Sequence, residues 1–114
     1  MSEKTLDALF AEVVHALQPD CQRCGALTTD CAHIFTRSRR STRWDTENAL
    51  GLCRACHAWA HAHPYFFRDF VTALIGIDRL EALYRRSLVI SKDRDLDSIA
   101  AALRLLLKQE TVAK

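Results

Sequence analysis

Two Cys-x-x-Cys pairs, Cys21/Cys24 and Cys53/Cys56, restrict this chain more than anything else in it. Each spacing lets one tight turn present two sulfurs to a single ion, and four thiolates together are the ligand set of a tetrahedral Zn²⁺ site. A shared ion forces the two turns to meet. The 28 residues between Cys24 and Cys53 must then loop out and return, most simply as a hairpin between two knuckles. Gly25 can supply the positive φ that such a turn often needs. Disulfides are the competing use of paired cysteines. The opening Met1-Ser2-Glu3-Lys4 does not read as a secretory signal, and five cysteines is an odd number, so metal is favoured. Cys31, the fifth, reads as a small buried hydrophobe.

A chain of 114 residues has room for one domain, 1–114, with a single modest core. Only three glycines and two prolines interrupt it, which predicts an ordered, helix-rich protein. No apolar run reaches membrane-span length, so the expectation is a cytoplasmic protein with no membrane partner. Leu6, Leu9, Phe10, Val13, Val14 and Leu17 recur at three- and four-residue steps, predicting a helix that Pro19 ends. His15 lies off that stripe and reads as a solvated position. A short strand is expected within 28–35 and a second at 49–52, with an arginine-rich loop between them. Helices are expected from Arg54 to His63, Tyr65 to Ile75 with Gly76 as its stop, Ile77 to Leu88, and Asp95 to Gln109. In the last three, Phe66, Phe67, Phe70, Val71, Leu74, Ile75, Leu80, Leu83, Tyr84, Leu96, Ile99, Ala100, Leu103 and Leu107 read as the inward residues.

Net charge is only +2, but its distribution is uneven. Arg37, Arg39, Arg40 and Arg43 fall between Thr36 and Trp44 with no acidic residue among them, a local cluster able to neutralise phosphates. On the helix after the second knuckle, His57 and His61 are four apart. They share a face and could grip one cation together, whereas His63 should point elsewhere.

Cys21-x2-Cys24, Ala32-His33-Ile34 and Asn48-x4-Cys53-x2-Cys56-His57 taken together resemble the zinc-containing HNH endonucleases. The match spans residues 21–63. The stretch from Cys31 to Arg40 with Arg43-Trp44-Asp45 is similar to HNH proteins of phages and prophages, and loosely to phage recombination proteins of the NinG type. The resemblance implies an α+β, helix-rich fold: a zinc-stapled ββα-metal core at 21–63, flanked by helices at 1–19 and 64–114. It implies hydrolysis of DNA phosphodiester bonds. His33 would be the general base, Asn48 would pin the loop that fixes it, and His57 and His61 would hold a divalent cation (Mg²⁺, Mn²⁺, Ni²⁺, Co²⁺ or Zn²⁺). Arg37, Arg39, Arg40, Arg43 and Arg54 would contact DNA phosphates.

Ala32 departs from the pattern. Many members of the family place Asp or His there as a metal ligand, and alanine has no donor. Asp30, two residues earlier on the same strand face, is the candidate to compensate, directly or through water. Two other functions fit parts of the pattern. A non-catalytic zinc-stabilised DNA-binding module would keep the cysteines and arginines and would explain Ala32. A scaffold that docks a protein partner would use the cysteines only as a staple.

Overall fold

The structure, a computed structural model, describes residues 1–90 and 94–113, with the side chain of Ala113 excepted. Its elements in chain order are α1 (Glu3–Leu17), β1 (Asp30–His33), β2 (Ala49–Leu52), α2 (Arg54–Ala62), α3 (Pro64–Ile75), α4 (Ile77–Ser87) and α5 (Leu96–Ala113), with a 3₁₀ turn at Thr46–Asn48. The fold is α+β and helix-rich, as expected. β1 and β2 pair antiparallel in the register Asp30–Leu52, Cys31–Gly51, Ala32–Leu50, His33–Ala49.

Strand alternation divides the molecule. Ala32, Leu50 and Leu52 lie in one apolar cluster with Cys56, Ala60, Phe67, Val71, Leu80 and Leu83 from α2, α3 and α4. Ala49 and Cys31, on the opposite pleat, belong to a second cluster with Leu6, Phe10, Val13, Val14, Trp44, Ala100 and Leu103, where α1 packs along α5. The two-stranded sheet is therefore sandwiched between helical layers, which is how so small a sheet escapes solvent.

The edges of the sheet are treated differently. Along β2, the Gln18 side chain accepts from Gly51 N–H (2.7 Å) and donates to Ala49 O (3.1 Å), and Gln22 N–H donates to Gly51 O (3.0 Å). The chain leaving α1 thus completes the hydrogen bonding of that edge. The other edge, β1, lines a cleft. No helix among the described residues is long and apolar enough to cross a membrane.

Several side-chain expectations are corrected. Phe66, Leu74 and Tyr84 are exposed rather than inward: α3 buries Phe67 and Val71 with Phe70 and Ile75 beside them, and the flanking positions 66 and 74 turn to solvent. His15 is not solvated either. It is half-buried, and its Nε2 is shielded with no hydrogen-bond partner among the described residues.

At Gly51 the sheet closely approaches the segments on either side of the first knuckle. A Cβ there would sit 2.8 Å from the Gln18 carbonyl oxygen and 2.9 Å from both Cγ2 and Oγ1 of Thr28. Gly51→Ala should lower the unfolding free energy by about 1–3 kcal/mol, the usual range for overpacking. Urea denaturation checks it; an unchanged midpoint would mean that the contact yields without strain.

Candidate metal centre and cleft

The four paired cysteines converge. Their sulfurs all lie within 4.8 Å of one another, and the Cys24 and Cys53 sulfurs are 3.6 Å apart. A tetrahedral ion with sulfur at ~2.3 Å has sulfur–sulfur edges of about 3.8 Å, so the donor set fits a metal such as zinc. No two cysteines are joined in a disulfide. Local structure explains the aim of each sulfur. Gly25, at φ 82°, closes the first knuckle, with its N–H bonded to Cys21 O at 2.9 Å. Cys53 is the N-cap of α2, its sulfur accepting from Cys56 N–H at 3.4 Å. Burial opposes ionisation of Cys21, but N–H groups of Cys24, Cys53 and Arg23 overcome it and bring the thiol down to about 6. Arg23 was not singled out in the sequence. Its guanidinium lies 3.7 Å over the Trp59 ring and 3.5 Å from the Cys56 sulfur, placing a positive charge beside the thiolate cluster.

A cleft of about 720 Å³ runs along the free edge of β1. Asp30, Ala32 and His33 form its floor, Asp7, Phe10 and Ala11 of α1 one wall, and His57, His61, Pro64, Phe67 and Arg68 the other. His33 is largely buried. Its Nε2 is 2.9 Å from Arg43 O, and since a carbonyl only accepts, the neutral imidazole carries its proton on Nε2 and its lone pair on Nδ1. Burial pushes the His33 pKa below its ordinary value, although the carbonyl contact and the charge of Asp7 pull the other way.

Asn48 is fully buried and directs both amide donors and its carbonyl oxygen to one loop. Nδ2 donates to Phe35 O (3.0 Å) and Thr42 O (3.1 Å), and Oδ1 accepts from Phe35 N–H (2.8 Å). Its own carbonyl accepts from Ile34 N–H at 2.8 Å. The loop after His33 is held at both ends by this one residue.

On the opposite wall His57 Nδ1 meets Asp30 Oδ2 at 2.9 Å, and His57 Nε2 faces His61 Nε2 at 3.2 Å. Nitrogens bound at about 2.1 Å to one four- or six-coordinate ion lie roughly 3.0–3.4 Å apart, so the pair matches a shared cation. Asp30 holds His57 from behind, as carboxylates commonly orient metal-bound imidazoles. The bond to His57, more than any other contact, keeps the Asp30 carboxyl below the usual carboxylate value. His63 points away, its ring tilted against those of Trp59 and Phe66. Ala32 is buried and contributes no donor. Among the described residues, the four cysteines are the one group of three or more clustered ligand atoms.

The arginines divide. Arg43 pairs with Asp7 (2.6 Å) and Glu3 (3.3 Å), Arg40 with Glu3, and Arg39 donates to Ser87 at 3.0 Å. Arg37 and Arg54 line the cleft with side chains 66% and 85% exposed, each only loosely paired, to Asp7 at 3.7 Å and Asp30 at 3.4 Å. Arg68, which the sequence did not flag, joins them from α3, over the Phe35 ring. Cys31 packs beside α1, where burial pushes its thiol up to about 12, consistent with an inert apolar role. The chain matches no family model, no curated protein and no solved structure.

His33 should titrate by NMR with a midpoint below 6.5, because its folded form is biased to the neutral state. The unfolded chain then binds the proton more readily, so this group's contribution to stability is present above about pH 6.5 and declines as pH falls. A midpoint above 6.5 would contradict the burial argument.

Proposed function

We propose that the chain is an HNH-type endonuclease with a ββα-metal core, hydrolysing DNA phosphodiester bonds, related to phage and prophage proteins, and working in the reducing cytoplasm. The observation that carries this reading is the pairing, across one cleft, of a neutral histidine of defined tautomer with two histidine nitrogens at cation-sharing distance. His33 Nδ1 accepts the proton of a water molecule as the water oxygen bonds to phosphorus. The bond from phosphorus to the 3′-oxygen breaks, the leaving oxygen takes a proton from solvent, and the products are a 5′-phosphate and a 3′-hydroxyl. Asn48 keeps the loop, and with it the Arg43 carbonyl, from drifting off the base. A divalent cation held by His57 and His61 would stabilise the charge gathering on the phosphoryl group and the leaving oxygen. Arg37, Arg54 and Arg68 draw the phosphate backbone into the cleft. The four-cysteine cluster, as a structural zinc site, anchors the strands and α2 that carry these groups.

A DNA-binding module without hydrolysis is the second reading. It is favoured by one observation: Ala32 brings no donor, so among the described residues two histidine nitrogens alone converge on the second site.

The purified protein should carry a single tightly held zinc ion per chain, measured by elemental analysis. Its removal by a strong chelator should unfold the β1–β2–α2 region, as with other structural zinc sites. A metal-free chain with an unchanged NMR spectrum would remove the staple from the account.

Plasmid cleavage separates the two functional readings. In Mg²⁺, Mn²⁺, Ni²⁺, Co²⁺ or Zn²⁺ the wild type should nick DNA, and His33→Ala should lose at least about a hundredfold in rate while still binding. Salt-sensitive binding without cleavage by either protein would establish the binding module instead. Absence of both would point to a docking scaffold.

A further inference from the structure

Helix α1 lies outside the residues that resemble a nuclease, yet it bears on the candidate base twice, directly through Phe10 and indirectly through Asp7. Asp7 and Phe10 are three residues apart, so they share one face of α1, and both line the cleft. The Phe10 ring stacks on the His33 imidazole, with centroids 5.6 Å apart and planes 25° from parallel. Asp7 does not reach His33; it grips the two residues after Thr42. Its Oδ1 accepts from Arg43 Nε (3.1 Å) and from Trp44 Nε1 (2.9 Å), and its Oδ2 accepts from Arg43 Nη2 (2.6 Å). Arg43 and Trp44 flank one peptide group, and the carbonyl of that group is the one that accepts from His33 Nε2. A single carboxylate therefore holds the side chains on both sides of the peptide that sets the tautomer of the base. Glu3, one turn earlier, adds a second contact to the same guanidinium at 3.3 Å.

We propose that Asp7 is a positioning residue: through Arg43 and Trp44 it fixes the carbonyl that keeps the His33 proton on Nε2, while Phe10 fixes the plane of the ring. The consequence for the cleavage step rests on the nuclease reading above; the consequence for the tautomer does not. Arg43 thereby has a role other than gripping phosphate. Its charge is consumed by α1, and its backbone oxygen is the functional atom. Helix α1 becomes part of the site rather than a cover for the core. A chain cut back to residues 21–63 would keep both metal-ligand sets but lose control of the base.

The test is the protonation pattern of His33, read from long-range ¹H–¹⁵N spectra of the full zinc-loaded chain above pH 7. The wild type should show the Nε2–H form alone. Asp7→Asn removes the charge and the paired guanidinium contact, and should give a mixture of both tautomers at His33 with zinc and secondary structure retained. Arg43→Gln cuts the same link while keeping the carbonyl, and should do the same if Asp7→Asn folds poorly. In cleavage assays kcat should fall about tenfold with KM little changed, as expected for a misaligned base. The double variant should be no worse than either single one, because both break one connection. A folded Asp7→Asn chain that keeps a single Nε2–H tautomer overturns the proposal, even if its stability has dropped. Because the tautomer is read without substrate, a wild type that cuts nothing would defeat the nuclease reading while the spectra still decide the clamp.

Discussion

The meeting of four sulfurs at one point organises the rest of the molecule. Bringing Cys21 and Cys24 to Cys53 and Cys56 places Gln18, just before the first knuckle, and Gln22, within it, along the outer edge of β2. It also places Cys53 as the cap of α2, which sets where that helix starts and in which direction it runs. Once Cys56 faces the cluster, the helical turn of ~100° per residue carries His57 round to Asp30, and His61 follows one turn later on the same side. The geometry of the second site is thus inherited from the first. Cys56 and His57 are adjacent in sequence and face different groups, the sulfur cluster and Asp30, because a helix cannot point neighbours the same way.

β1 performs the complementary division. Asp30 and His33 are three apart on a strand, so they stand on opposite pleats: Asp30 toward α2 and His57, His33 toward α1 and Phe10. They act on one space only because the strand's outer edge is left unpaired and opens into the cleft. A third strand added there would separate His33 from the histidine pair. The two-stranded sheet, too small to stand alone, is supported by helices on both faces, and that support leaves the edge free.

How much of this was legible in the sequence follows from how local each signal is. The knuckles, the strand pair and every helix were readable, because Cys spacing, turn residues and apolar periodicity are properties of neighbouring residues. His57 with His61 was readable for the same reason. The backing of His57 by Asp30 was half-readable: the strand face was deducible, but whether the carboxylate meets a metal or an imidazole depends on the packing of β1 against α2. The roles of Asp7, Phe10, Arg23 and Arg68 were not legible. Each is an ordinary residue on a helix or in a turn, made significant by a partner between 23 and 36 positions away, as with Asp7 and Arg43 or Arg68 and Phe35.

The arginine cluster shows what sequence proximity conceals about charge. Four arginines in one loop look equivalent, and a run of like charges normally implies a solvated face. A phosphate can recruit an arginine only by displacing whatever already satisfies it, and a bidentate, half-buried carboxylate is a costly partner to displace. Arg43, 16% exposed and held by two acids of α1, is unavailable on that ground. Burial works against the charge of Asp7, yet Arg43 and Trp44 hold its carboxyl below the ordinary value, so the pairing is retained across the neutral range. Arg37 and Arg54 stand at longer range from their acids with most of their surface in water, where an ion pair is worth little and is easily exchanged. The charge left over for an anion therefore lies at the cleft, on Arg37 at the start of the loop and on Arg54 beside the histidines, and not on Arg43. Acidic residues on a flanking helix decide that distribution, which makes the helix part of the electrostatics of the site as well as of its geometry.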